Sequence, residues 1–245
     1  YDHDDFVDTV TSRTVLLFGS ESSTYTAWVA LPDGVDPESC HPGDGLATAG
    51  VRLWLKEDLH QAMVYVQTHP DHRSQGVAKA LYAVATADLA AQGRTTWQTW
   101  SHCPGPEATG PDAIAARTGS GAVDGRSPNN RWLTSLGFTL EQCERPSMLV
   151  LDDDTLARAA TLRAEASDIA GPDHELVTWV GDTPTDLLGD LGWLLTRMST
   201  DVPSGELEFD EQVWDADRVR AQEDRTRAAG LDSVITAVRH RPTGR

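Results

Sequence analysis

The segment Arg73-Ser74-Gln75-Gly76-Val77-Ala78 joins a run of alternating apolar and polar residues to a run of helical spacing. That position suits a phosphate. The first turn of a helix leaves main-chain N–H groups without intrahelical partners and concentrates partial positive charge, so a pyrophosphate placed there accepts several hydrogen bonds at once. Gly76 lets the main chain come close to the phosphates, and Ala78 keeps a large side chain out of the same space. Short glycine patterns often mark only tight turns; here the placement between a strand and a helix is the stronger signal. His69 and His72 flank Pro70, where a turn calls for polar residues anyway. Cys40, Cys103 and Cys143 have no adjacent base and read as inert thiols.

The elements that position this segment follow from hydrophobic period. Thr14–Phe18, Tyr25–Leu31, Ala47–Leu55 and Ala62–Thr68 read as strands of an antiparallel meander, separated by clusters such as Gly19-Ser20 and Pro32-Asp33-Gly34. Beyond His69–His72 the period changes: Val77, Leu81, Val84 or Ala85, and Leu89 predict an amphipathic helix stopped by Gly93. Thr95–Trp100 reads as a further strand, which makes a β-loop-α-β crossover. Cys103–Asn129, rich in Gly, Pro, Ala and Asp, is long for a connection and reads as a functional or mobile loop. A short helix over Asn130–Leu136, capped by Asn129 or Asn130, and strands near Phe138–Leu140 and Met148–Leu151 follow.

Asp153–Ala170 reads as a helical linker closed by Gly171-Pro172. A second module then begins with a strand at Glu175–Val180. A helix capped by Thr183 comes next, with Leu187, Leu191, Leu194 and Met198 as its buried stripe. Asp215–Ala229 reads as a helix, and Ser233–His240 as a strand running into a turn. Tyr1 is not a methionine and Pro242–Arg245 is turn-like, so the chain reads as a fragment with the second module half present.

The chain has 245 residues and a net charge of −18, with a pI near 4.6. Its field repels phosphate polymers and anionic lipid, so neither a nucleic acid nor a membrane is the expected partner. A hydrophobic share of 39% and eight Trp place it among globular proteins. Three cysteines without C-x-x-C spacing argue against a disulfide framework or a zinc site and for a reducing, cytoplasmic setting. No apolar run reaches the roughly 20 residues of a membrane span, and Tyr1–Asp5 is too acidic for a secretory leader.

The segment from His69 to Leu81 resembles the acetyl-CoA-binding motif of the GNAT superfamily of N-acetyltransferases, Arg/Gln-x-x-Gly-x-Gly/Ala after a strand ending in Pro. Ala62–Thr68 looks like the splayed strand of that family, Gly93-Arg94 like the pair after its helix, and Leu136-Gly137-Phe138 like the end of its next helix. Leu176–Trp179, Met198–Gly205 and Val213–Arg220 resemble the opening of the C-terminal repeat in actinobacterial tandem members. Eighteen Arg against two Lys agree with a high-GC bacterial source. The resemblance implies an α/β chain of α+β type: a mixed, mostly antiparallel sheet with flanking helices, repeated in tandem with an incomplete second copy. It implies an N-terminal GNAT domain over 1–151, a linker over 152–172 and the first half of a second domain over 173–245.

It also implies an acyltransferase that moves an acetyl group from acetyl-CoA to a primary amine of a small molecule by direct attack. Arg73, Ser74, Gln75, Gly76, Val77 and Ala78 would hold the pyrophosphate. Val66, Gln67 and Thr68, following Tyr65, would meet the pantetheine through the main chain and supply an oxyanion donor. Two departures stand out. The family's frequent base, eleven residues before Arg73, falls on Ala62, and its frequent acid, four before Gly137, falls on Leu133. The nearest titratable replacements are Glu57, Asp58 and His60 in the turn before the strand, and His60 has the most suitable ordinary pKa. Against these stand plainer readings: a solvated His60, a Tyr65 that is a strand residue facing the core, Trp97 and Trp100 packed in the sheet, and a solvated acidic run at Glu206–Glu211. The net charge favours a cationic, polyamine-like or aminoglycoside-like acceptor, that acidic run could form a lip for it, and a homodimer is compatible with the reading. Two alternatives are a catalytically inactive acyl-CoA-binding or structural repeat that supports a second repeat, and a binding module whose glycine loop is only a turn.

Overall fold

The computed structural model describes residues 9–201, 206–207 and 209–244. The Tyr1–Asp5 start, the Val202–Gly205 stretch and Glu208 of the acidic run lie outside them. The protein is mixed α/β, with a mixed sheet and flanking helices, and divides into two units. One runs to Pro104 and takes in Phe209–Glu211 and Ala228–Gly230; the other takes Gly105 onward, less those two stretches.

In the first unit the order is α1 (Val10–Leu17), β1 (Ser23–Ala30), β2 (Ala47–Trp54), β3 (Gln61–Thr68), α2 (Val77–Ala91) and β4 (Thr96–Gln98). The sheet runs β1-β2-β3-β4, antiparallel up to β3, with β4 parallel to β3 across the α2 crossover. Register puts Ala47, Ala49, Val51 and Leu53 of β2 beside Ala62 and Val64 of β3 on one face. Leu81, Ala85 and Leu89 of α2, four residues apart, bury that face. Alanines at 47, 49, 62 and 85 leave room for the helix to approach, so Leu89, wholly buried, is the large side chain the core depends on. Trp97 packs at its rim, edge-on to Tyr82 at 6.3 Å.

Residues 10–17 form a helix, where alternation over Thr14–Phe18 predicts a strand. The Thr9 hydroxyl accepts the Ser12 N–H at 3.1 Å and its carbonyl accepts the Arg13 N–H at 3.0 Å, so a cap overrides the β-branched residues.

The second unit contains β5 (Ala113–Ala115) and β6 (Ala122–Asp124), a hairpin inside the stretch expected to be a loop. Three-residue strands are too short to show a period. Helix α3 (Pro128–Ser135) is capped by Ser127, not by the asparagines, and Asn130 is buried with its side-chain amide donating to the Asp124 carbonyl at 2.8 Å. No strand forms at Phe138–Leu140 or Met148–Leu151, and the latter residues are exposed. Helix α4 (Asp153–Ala170) ends at Gly171, whose φ is +74°. The ribbon of β7 (His174–Val180) and β8 (Val234–His240) is antiparallel, and α5 (Leu188–Asp201) and α6 (Ala216–Ala228) lie between its strands in sequence.

Helix α5 does not bury the leucine stripe: Leu194 and Met198 are exposed, while Leu188 and Gly192 are buried. The Thr196 and Ser199 hydroxyls on that face accept the Trp214 and Gln212 N–H groups at 2.9 and 3.0 Å. A Cβ on Gly192 would stand 2.8 Å from the Trp214 carbonyl oxygen. Small polar residues let an extended segment dock by hydrogen bonds, an arrangement invisible to hydrophobic period.

Candidate functional site

Strand β3 is paired along its whole length on one side only. The His69 N–H donates to the Leu46 carbonyl at 2.9 Å, which fixes the alternation: Thr48 with Gln67 and Gly50 with Tyr65 exchange the ladder bonds. Val66 and Thr68 therefore turn their N–H and C=O groups away from β2. Among the described residues β4 pairs only Thr96–Gln98 with Gln61–Met63, so those groups lie along an edge left open by them. Gln67 differs from the expectation, because its main chain is committed to Thr48 and only its exposed side chain is available.

The open edge leads into the phosphate-suited turn. Pro70–His72 forms one 3-10 turn, and the Gln75 side-chain amide donates to the Asp71 carbonyl at 3.0 Å. Ser74 and Gly76 both adopt positive φ, +60° and +85°, which reverses the chain within a few residues. For Ser74 that conformation costs about 1–2 kcal/mol, a strain of the kind found at ligand-binding turns. Gly76 caps α2 without a side-chain hydrogen bond, and the first intrahelical bond runs from the Ala80 N–H to the Gly76 carbonyl at 3.0 Å. The N–H groups of Val77, Ala78 and Lys79 precede that bond and face the turn. Arg73, Ser74, Gln75 and Gly76 are exposed, and Val77 and Ala78 half-buried. A Cβ on Gly76 would touch nothing within 4 Å, so its φ and not crowding demands glycine.

A cleft of about 440 Å³ adjoins the end of this edge, lined in part by Val29, Leu31, Leu46, Gln67, Thr68 and His69. Its walls come from three strand ends far apart in sequence, and no local motif announces it.

His60 and Glu57 stand at the other end of β3. The His60 carbonyl accepts the Thr95 and Thr96 N–H groups at 2.8 and 3.1 Å, where the sheet is closed. Four residues separate His60 from Val64, about 13 Å along a strand. The neighbouring Asp58 is buried at φ +51°. Its carboxylate accepts the Asp210 N–H at 2.7 Å, and the Asp210 carboxylate accepts the Asp58 N–H at 2.7 Å. The Arg94 guanidinium donates to the Trp54 and Gln61 carbonyls at 3.0 and 3.2 Å. This end is a structural clasp, and the Gly93-Arg94 pair is part of it. Ala62, where the resemblance places a base, is wholly buried under α2.

The face of the sheet away from α2 carries Tyr65 of β3 and Tyr25 of β1, so Tyr65 does not face the core as its plainer reading has it. Tyr25 reaches from β1 over Gly50, where a Cβ would lie 1.8 Å from its hydroxyl oxygen, and Gly50 is the register partner of Tyr65. Burial pushes both hydroxyls above the ordinary tyrosine range, while Arg52 and Arg13 pull Tyr65 back in part. Tyr65 is thus a half-buried O–H donor on the open-edged strand.

Among the described residues no group of three or more His, Cys, Asp and Glu is placed to hold a metal ion, and no helix is long and apolar enough to cross a membrane. No family model matches the chain, and no curated protein matches it. Solved structures similar to it include a tandem GNAT protein from the clavulanic acid biosynthesis pathway, at 17% identity and a TM-score of 0.49 over 96% of this chain and 60% of that one. A probable acetyltransferase shows 14% identity and a TM-score of 0.29 over 53% of this chain and 69% of that one. A ribosomal-protein-alanine N-acetyltransferase from Brucella melitensis biovar Abortus 2308 shows 14% and 0.26 over 52% and 71%. This chain spans 60% of the length of the tandem protein.

Proposed function

We propose that the first unit is an N-acetyltransferase domain of GNAT type that binds acetyl-CoA and passes its acetyl group to a primary amine of a small molecule. One observation carries the reading: an open strand edge, with Val66 and Thr68 main-chain groups directed outward, runs straight into a turn that presents the unbonded N–H groups of α2. Acetyl-CoA has that order of needs, amides along a pantetheine arm and then a pyrophosphate.

In this reading the amine lone pair attacks the thioester carbonyl. Charge develops on its oxygen, which accepts the Val66 N–H at the open edge. The C–S bond then breaks, the thiolate takes the Tyr65 proton, the ammonium gives one up to solvent, and solvent returns one to the Tyr65 oxygen. His60 and Glu57, at the closed end, act on the ammonium only through intervening water. Val77 and Ala78, with Arg73, Ser74, Gln75 and Gly76, hold the pyrophosphate, and Thr68 with the Gln67 side chain orients the arm. The acceptor is a small amine, and the net charge of −18 favours a cationic one.

The buried Ala62 favours a second reading, a repeat that binds acyl-CoA without turning it over. Thiol release from acetyl-CoA in the presence of a panel of small amines separates the two. Release that depends on an amine and is lost in Gly76→Trp supports transfer; acetyl-CoA binding with no release for any amine supports the inactive repeat.

A further inference from the structure

We propose that His174 and His240 form a two-histidine site for a borderline divalent cation, Zn²⁺, Ni²⁺ or Cu²⁺, at the end of the β7–β8 ribbon. The inference is independent of acetyl transfer. The Arg241 N–H donates to the Asp173 carbonyl at 2.8 Å and the Gly181 N–H to the Ser233 carbonyl at 2.8 Å. Alternation along an antiparallel ladder then makes His174 and His240 a non-hydrogen-bonded pair, the kind whose side chains stand closest, with Cα atoms about 4.5 Å apart. Thr178 and Thr236, on the same face, share a hydroxyl hydrogen bond at 3.0 Å, as that register requires.

The two rings lie 5.2 Å apart between centres, tilted by 42°. Metal–nitrogen bonds of about 2.0–2.1 Å at a tetrahedral angle bring the centres of two imidazoles to about 5 Å. Tautomer matters equally. His174 Nδ1 lies 2.9 Å from the Ala170 carbonyl oxygen, which can only accept, so Nδ1 carries the proton and Nε2 the lone pair. His240 Nδ1 lies 2.9 Å from the Thr243 hydroxyl, which can accept its proton, and in that tautomer His240 also presents its Nε2 lone pair. A ligating histidine is held by just such a bond from its other nitrogen.

The contrast is His69. Its Nδ1 accepts the Asp71 N–H at 3.4 Å, which leaves the proton on Nε2, although His72 is 5.6 Å away. Glu175 is engaged by the Arg239 and Arg241 guanidiniums at 3.0 and 3.3 Å, so water completes the coordination. Two imidazoles suit Zn²⁺, Ni²⁺ and Cu²⁺ and not Mg²⁺ or Ca²⁺.

Calorimetric titration of the full chain with ZnCl₂ at pH 7.5 tests the site. One Zn²⁺ is expected, weakened at least tenfold by His174→Ala or His240→Ala and unchanged by His69→Ala. Proton NMR of the unmodified chain is the second measurement, and Zn²⁺ is expected to move the imidazole resonances of two of the eight histidines. Absence of Zn²⁺ binding, binding that persists in both ribbon variants, or movement of a set that omits His174 and His240 overturns the proposal.

Discussion

The Tyr25 hydroxyl occupies the space that a side chain at position 50 would need, and Gly50 faces Tyr65 across the β2–β3 ladder. The glycine is therefore required by its neighbour. Gly50→Ala should cost about 1–3 kcal/mol by overpacking. The same change made in a Tyr25→Ala background should cost much less, and equal costs in chemical denaturation would show that the two residues are not coupled.

In the proposed transfer Tyr65 returns a proton to the CoA thiolate. Tyr65→Phe should leave acetyl-CoA affinity within about twofold and lower kcat by about 10²-fold or more. His60→Ala, four residues before Val64 at the closed end, should slow turnover less than Tyr65→Phe. Steady-state kinetics with one responsive amine decide between them; the reverse order would move the proton chemistry to His60.

Burial raises the Tyr25, Tyr65 and Tyr82 hydroxyls above their ordinary value of 10.0. A raised acid keeps its proton longer in the folded chain than in the unfolded one, so its contribution is complete below about pH 10 and is lost as pH rises beyond it. Stability measured by urea unfolding should fall from about pH 10 upward, and less steeply in Tyr65→Phe. A slope unchanged by that substitution contradicts the burial of Tyr65.

Glu223 works in the opposite direction. Burial pushes it up, but hydrogen bonds from Thr183, at 2.8 Å from its N–H, and from Arg220 outweigh this and hold it below the ordinary 4.5. Its contribution is present above about pH 4.5 and is lost as pH falls through its folded value. Glu223→Gln should flatten the acid limb of the stability profile and loosen Thr183, which hydrogen exchange at the Thr183 amide reports as faster exchange. An unaltered acid limb and an equally protected amide would remove Glu223 from that role.

Much of the first unit was legible because its period changes sharply: short apolar strand runs at Ala47–Trp54 and Gln61–Thr68 give way to Leu81, Ala85 and Leu89 stepping by four, with Pro70 and Gly76 between them. Arg73–Ala78 stood out for the same reason. The open edge did not, since it depends on β4 ending its pairing at Gln98, and Tyr25 over Gly50 is a contact between strands. Thr14–Phe18 misled because a cap at Thr9 outweighs β-branched residues, and α5 misled because Gly192, Thr196 and Ser199 bury a face through hydrogen bonds. Period detects apolar faces and is blind to polar ones.

Calorimetric titration of this chain with acetyl-CoA, beside Gly76→Trp, tests cofactor binding at the turn. One site of micromolar affinity is expected in the unmodified chain, lost in the variant because tryptophan cannot hold the φ of +85° that turns Arg73–Ala78 toward a pyrophosphate. No binding by the unmodified chain, or equal binding by both, would contradict it.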